Sequence, residues 1–265
     1  MFTNRNFKGK MRIKIIFQQL GLFYLLGLFA CRKGENPDPL LSVDLIIQHQ
    51  NLGQKLAGGV VLSDSSGTLL QLNKYQFYLS NIRLETDVPI EVFSESASGH
   101  LVKGLDPGGE SVIPLSGIPL RNYRYLCFGI GLDSLKNKSG GQGIPDLDPG
   151  LGMFWPWSNE YKFMVLEGSF QTQDTTGAFL FHIAGNSCYR EIRLPLRDST
   201  GKEIVLNASG KTRILLNTEL SALFGAPRPV DFRVLNNVMS VASGADVLAD
   251  NYGQAGFIRL KGKLD

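Results

Sequence analysis

The sequence lacks the residue patterns that mark the common enzyme classes. It has no glycine loop for phosphate, no nucleophile elbow, no HExxH and no CxxC. Histidine is scarce at three residues, cysteine at three and tryptophan at two in 265, so a site built from imidazole, thiolate or indole draws on very few positions. Acidic residues are missing from the first 30 positions, which carry Arg5, Lys8, Lys10, Arg12 and Lys14. These five account for the positive net charge: without them, 22 basic residues face 24 acidic ones. A nucleic-acid surface is therefore not indicated. Apolar runs long enough to span a bilayer are missing too, since Ile15 to Phe29 is short and interrupted by Gln18 and Gln19.

What that N-terminal stretch does have is the order of an export signal. Lys10, Arg12 and Lys14 form a basic segment, an apolar segment follows, and Leu28-Phe29-Ala30-Cys31 places a small residue before a cysteine as at a bacterial lipoprotein cleavage site. The reading is a signal peptide over residues 1–30, a lipid-modified Cys31 and a flexible tether over 31–40. A plain signal peptide or a short anchor helix is the alternative. The expected location is the cell envelope, on the outer membrane, facing the periplasm or the surface. Export would leave Cys127 and Cys188 as an even pair in an oxidising compartment. Cys127 lies in an apolar run, however, where a free cysteine behaves as a small hydrophobe.

Residues 41–265 carry an ordinary globular composition, with 30 glycines and 12 prolines in the whole chain to supply turns. Leu41, Val43, Leu45 and Ile47 alternate as in a half-buried strand, which would put His49 on the same apolar face. Val60 to Leu62 reads as a short edge strand. In Tyr75 to Glu85 the apolar parity slips at Ser80-Asn81, from Tyr75, Phe77 and Leu79 to Ile82 and Leu84, which predicts a bulge or bend. Further strands are expected at Ile90 to Phe93, Tyr123 to Leu132, Tyr161 to Leu166, Phe179 to Ile183, Ile192 to Leu196, Glu203 to Leu206, Arg213 to Asn217 and Phe257 to Leu260. Ser94 to Gly109 reads as a polar loop with His100 at the surface. Helix is expected over Thr218 to Phe224, capped by Asn217 or Thr218, and in one or two pieces over Val234 to Asn251, broken at Gly244. This pattern predicts an all-β antiparallel sandwich, Greek-key-like, with one or two short helices near the C-terminus.

The unusual chemistry concentrates between Cys127 and Phe170, where a loop of about 20 residues ends in Gly152-Met153-Phe154-Trp155-Pro156-Trp157. Three large aromatic rings and a thioether are costly to leave in water, so the loop should be packed. Two constellations follow. Asp133, Asn137, Asp146 and Asp148 supply oxygens that could wrap calcium, although Asp and Asn are also ordinary turn residues. His49, His182 and Met153 beside Trp155 and Trp157 supply the imidazole and thioether donors that suit copper, against the plainer reading of two core histidines and an aromatic cluster. Carboxylates near aromatics, Asp133, Asp148 and Glu167, also permit a hydrolase.

The central stretch resembles the MbnP-like family, periplasmic copper-associated proteins named for those encoded beside methanobactin genes. The resemblance is carried by Gly129-Ile130-Gly131-Leu132-Asp133-Ser134 with Asn137, by Leu147-Asp148-Pro149, and by Gly152-Met153 with Trp155 and Trp157. It continues through Tyr161, Leu166-Glu167-Gly168 and His182-Ile183-Ala184-Gly185, with Phe77-Tyr78-Leu79-Ser80-Asn81-Ile82 upstream and His49 at an early family histidine. Pro156, Asn159-Glu160, Ala184 and Asn236-Asn237 before Met239 depart from the pattern. The resemblance implies a β-sandwich, copper held by histidines, here His49 and His182, and in some members a tryptophan oxidised to kynurenine by a diheme peroxidase-like partner. The combined expectation is a non-enzymatic, lipid-anchored copper protein, with a metal-free module recognising a glycan or a protein as the rival.

Overall fold

A computed structural model of the chain describes residues 39–56, 61–88, 92–95, 99–141, 143–207, 210–239 and 243–264. The segment expected to be a signal peptide, Cys31 and nearly all of the expected tether lie outside the described residues. Residues 39–265 form one compact unit.

The first half contributes β1 (Leu40–Asn51), β2 (Gln54–Lys55), β3 (Val61–Ser63), β4 (Leu69–Glu85), β5 (Val92–Ser94), β6 (His100–Lys103), β7 (Glu110–Pro119) and β8 (Tyr125–Ile130). The second half adds β9 (Phe154–Trp155), β10 (Glu160–Gln171), β11 (Thr176–Ala184), β12 (Arg190–Pro195), β13 (Lys211–Glu219), β14 (Asn237–Val238) and β15 (Ile258–Leu264). Among the described residues the helical elements include α1 (Ser134–Asn137), α2 (Leu220–Gly225), α3 (Ala245–Tyr252) and short 3₁₀ turns.

These strands make the two sheets of an all-β sandwich. The small sheet runs β15-β13-β1, with β7 and β2 also on β1; the large one runs β12-β8-β4-β10-β11-β14, with β3, β5 and β6 on β4 and β9 on β10. Among the described residues, all pairings are antiparallel except β1 with β13 and β11 with β14. The alternation in β1 aims Leu41, Val43, Leu45, Ile47 and His49 inward, where they meet the inner face of the large sheet. That face carries Tyr75, Phe77 and Leu79 of β4, Met164 and Leu166 of β10, and Phe181 and Ile183 of β11, all buried.

The parity slip in β4 is visible in the backbone. Its register with β8 shifts between Ser80 and Arg83, and Asn81 takes a left-handed φ of 54°. The slip keeps Ile82 and Leu84 buried on the inner face.

Several expectations are corrected. Ser94 to Gly109 contains the strand β6, because Leu101 and Val102 find partners on β4, and His100 is held by Glu95 at 2.9 Å rather than standing free at the surface. The ten-residue β7 was not anticipated: Pro114 and Gly117 disguise it, but it lies at the edge of the small sheet, where proline is tolerated. Glu203 makes only an isolated bridge to Arg197. The N-cap of α2 is Glu219, because Asn217 and Thr218 are still paired in β13 with Gln48 and His49. Cys127 and Cys188 are both free and buried. The first lies between Arg83 and Arg193 in the sheet register and the second in a 3₁₀ turn.

Candidate functional site

Antiparallel pairing places directly opposed side chains on one face of a sheet, and their sequence neighbours on the other. Val165 of β10 stands opposite Gln76 of β4 on one side and His182 of β11 on the other. Gln76, Val165 and His182 therefore share the outer face of the large sheet, whereas Tyr75 and Phe77 point into the sandwich.

The loop 145–159 is folded over that outer face. Tyr78 Oη donates to the Asp146 carbonyl at 2.9 Å and Tyr161 Oη to the Leu147 carbonyl at 2.6 Å. The Asp146 carboxylate accepts from Leu101 N at 3.1 Å, and Lys162 N donates to the Met153 carbonyl at 2.6 Å. Gly152 and Asn159 take left-handed conformations at the bends, so that Phe154-Trp155 returns as β9 against Glu160-Tyr161. Met153 is buried, and its sulfur accepts from Gln76 Nε2 at 2.8 Å. Trp155, 8% exposed, lies 6.2 Å from the His182 ring. Trp157, 73% exposed, leans on Trp155 at 5.0 Å, and the Lys162 ammonium lies 5.9 Å from the Trp155 ring centre.

His182 sits under this cover. Its Nε2 lies 2.8 Å from Glu167 Oε1, and because a carboxylate oxygen accepts, Nε2 carries the proton. Nδ1 is then an unprotonated lone pair, buried and with no hydrogen-bond partner among the described residues. Burial lowers the pKa of the ring; the bond to Glu167 opposes this, and the charges of Lys162 and Lys74 add to the lowering. The lowering favours the neutral imidazole, the state in which it can hold a metal.

His49 has different neighbours. It is fully buried between the sheets, with its ring 5.4 Å from Tyr75 and 6.2 Å from Phe77. Nδ1 lies 2.8 Å from Thr218 Oγ1, which also accepts from Tyr75 Oη at 3.3 Å. Nε2 has no partner among the described residues, and burial pushes the pKa down to about 4. The expectation that His49 and His182 converge on one ion is corrected by this geometry. Tyr75 and Phe77, which His49 packs against, and Gln76, which shares a row with His182, lie on opposite faces of β4.

The calcium reading of Asp133, Asn137, Asp146 and Asp148 is corrected as well, because local backbone uses their oxygens. Asp133 caps α1 through Leu135 N and Lys136 N and binds Lys136 Nζ at 2.8 Å. Burial would raise its pKa, but Lys136 and the capping bonds bring it down to about 2. Asn137 accepts from Tyr161 N at 2.8 Å, and Asp148 accepts from Gly150 N at 2.7 Å. No three residues among His, Cys, Asp and Glu converge on a metal position among the described residues. Sequence reasoning missed Gln76 as the partner of Met153 and Glu167 as the partner of His182. The second was within reach: the β10–β11 hairpin turns at Gln171–Thr176, and counting back from that turn places His182 one diagonal step from Glu167.

The sequence matches the MbnP family over residues 41–240. The fold is similar to that of MbnP from Methylosinus trichosporium, with a TM-score of 0.52 at 15% identity, over 85% of this chain and 99% of that one. At that identity the likeness speaks for the fold alone. No curated protein matches the sequence. The family match covers most of the chain and includes every residue of the outer-face site, and the chain belongs to the MbnP family.

Proposed function

We propose that this chain is a lipid-anchored, non-enzymatic envelope protein that binds copper on the outer face of the large sheet, with His182 Nδ1 as the imidazole donor and the Met153 thioether as a second, soft donor. One observation carries the reading: Glu167 engages Nε2 of His182 and leaves Nδ1 as a buried lone pair with no partner among the described residues. Metal-bound histidines are commonly set up in this way, the carboxylate fixing both tautomer and ring orientation. An imidazole and a thioether in an aromatic surround favour Cu(I), and family membership supports the link to copper. When bound, copper would supply a redox-active centre beside Trp155; this chain's own residues bind it, orient the imidazole and limit access of water. The anchor at Cys31 rests on the Leu28-Phe29-Ala30-Cys31 pattern. The test is metal analysis of protein purified from its own envelope. About one copper per chain, lost on His182→Ala, is expected, and copper retained by His182→Ala overturns the assignment.

The exposure of Trp157 favours a second reading, a binding platform without metal. An aromatic ring 73% exposed and backed by a second indole offers a face for stacking. A glycan array probed with metal-free protein, with Trp157→Ala as the comparison, separates this reading from copper binding.

A further inference from the structure

Residues 39–265 are acidic overall, with 20 basic against 22 acidic side chains, yet their charge is unevenly placed. β13 and β15 are neighbours in the small sheet. Together they expose Lys211, Arg213 and Arg259 on the outward face and, along the free edge of β15, Lys261 at a bulge and Lys263, which stands opposite Ile214 and so lies on the other face. Two carboxylates lie beside this stripe: Asp44, bridged to Lys211 at 3.1 Å, and Asp198, which packs near Gly262 and accepts from Thr200 N and Lys202 N. Arg213, Arg259, Lys261 and Lys263 have no ion-pair partner among the described residues. Lysines on an edge strand also discourage pairing with other chains. That explains Lys261 and Lys263 but not Arg213, which lies on β13 between β1 and β15.

The stripe lies where the tether enters the domain. Lys211 pairs in register with Ser42, two residues after β1 begins at Leu40, and Arg213 pairs with Leu264. Eight residues, Arg32 to Pro39, separate Cys31 from that strand, and fully extended they reach at most about 30 Å. A lipid on Cys31 would hold this end of the sandwich within that distance of the bilayer, where the anionic surface attracts basic residues.

We propose that the basic edge of the small sheet formed by β13 and β15 is a membrane-contact surface that takes anionic phospholipid headgroups of the bilayer carrying the protein. Its location rests on the lipid anchor of the proposed function, while its charge does not. The surface would fix how the domain stands on the membrane, and so which way the outer-face site points.

A chain comprising residues 32–265 keeps the whole compact unit and has no lipid. It is sedimented with vesicles of phosphatidylglycerol and phosphatidylethanolamine, and separately with phosphatidylcholine vesicles, at low salt. Binding to the anionic vesicles alone is expected, with release as salt screens the charges. Arg213→Glu, Lys261→Glu and Lys263→Glu combined should weaken binding about tenfold or more. A control with Lys55→Glu, Lys103→Glu and Lys138→Glu changes the net charge equally and should retain binding; matching circular dichroism spectra establish that both fold. Equal losses in the two variants, or no binding of the unsubstituted chain, overturn the proposal. The anchor is read separately from the mass of the N-terminal peptide of envelope protein. An unlipidated N-terminus with intact, stripe-dependent vesicle binding removes the anchor and leaves the surface supported.

Discussion

Glu167 and His182 face each other diagonally across the β10–β11 ladder, Oε1 to Nε2 at 2.8 Å, and this one bond decides which imidazole nitrogen is left over. Without the carboxylate the ring could protonate at either nitrogen and rotate under the loop. Glu167→Gln keeps the size but loses the obligatory acceptor, so Cu(I) affinity should fall about 10- to 100-fold, as for other carboxylates behind metal-bound histidines. Competition against a coloured Cu(I) chelator measures it. An unchanged affinity would show that the pair serves only the sheet.

Much of this arrangement was legible in the sequence, for identifiable reasons. Strict alternation revealed β1, the parity slip at Ser80-Asn81 revealed the bulge, and the aromatic content of 152–157 revealed a packed loop. What failed depended on tertiary pairing. β6 and β7 became strands because β4 and β1 offered them unpaired edges. His49 and His182 looked alike as lone histidines in apolar runs, and only the three-strand register separates them. Asp133 and Asp148 could be read as ligands or as caps until their backbone partners were known.

His49 should make the fold sensitive to acid. Its folded pKa of about 4 lies below the ordinary 6.5, so the unfolded chain takes up the proton first. Stability is then full above about pH 6.5, declines as pH falls toward 4, and is not reduced further by this group below that. A depression of this size corresponds to about 3 kcal/mol over the window. His182, also lowered, contributes with the same sign. Urea unfolding at pH 7 and pH 4.5 should show His49→Gln losing less stability between the two than the unsubstituted chain. Equal losses would place the acid sensitivity elsewhere.

The loop depends on Gly141 for its closure. This residue has φ +70°, and a Cβ there would overlap the Leu147 carbonyl oxygen and the Tyr161 hydroxyl. Those two groups are bonded to each other and hold the loop to β10. Gly141→Ala should therefore cost about 2 kcal/mol or more, through left-handed strain and the broken hydrogen bond. Gly140, also left-handed but with open space around it, should cost only the strain, about 1 kcal/mol. Thermal melts of the two variants side by side distinguish close packing from backbone conformation alone.

Both domain cysteines should resist alkylation. Cys127 is buried, and burial pushes its pKa up to about 12, helped by a hydrogen bond to Glu85. Cys188 is also buried, with its pKa raised by the same cause. Since the thiolate is the reacting form, iodoacetamide at pH 8 should leave native protein unlabelled at these positions. The same treatment in urea, without reductant, should label both. A labelled count that rises only after reduction would mean that the cysteines pair.

Copper stoichiometry separates the two histidines most directly. His182 has its free nitrogen on the outer face, with Met153 and Trp155 on the same face of the sheet. His49 has its free nitrogen inside the sandwich, beside Tyr75 and Phe77. His182→Ala should abolish copper binding with little loss of stability, because the side chain lies at a covered surface. His49→Ala should have the opposite profile. Removing a fully buried ring bonded to Thr218 should destabilise the fold by about 2 to 4 kcal/mol, while the folded fraction still takes up one copper. Met153→Leu preserves the packing volume and removes the sulfur, so it should weaken Cu(I) binding without lowering the melting temperature much. These three variants, each measured for copper content and for thermal midpoint, assign every donor. If His49→Ala loses copper while remaining folded, and His182→Ala keeps it, the ion belongs in the core between the sheets and the outer face is left to the indole platform.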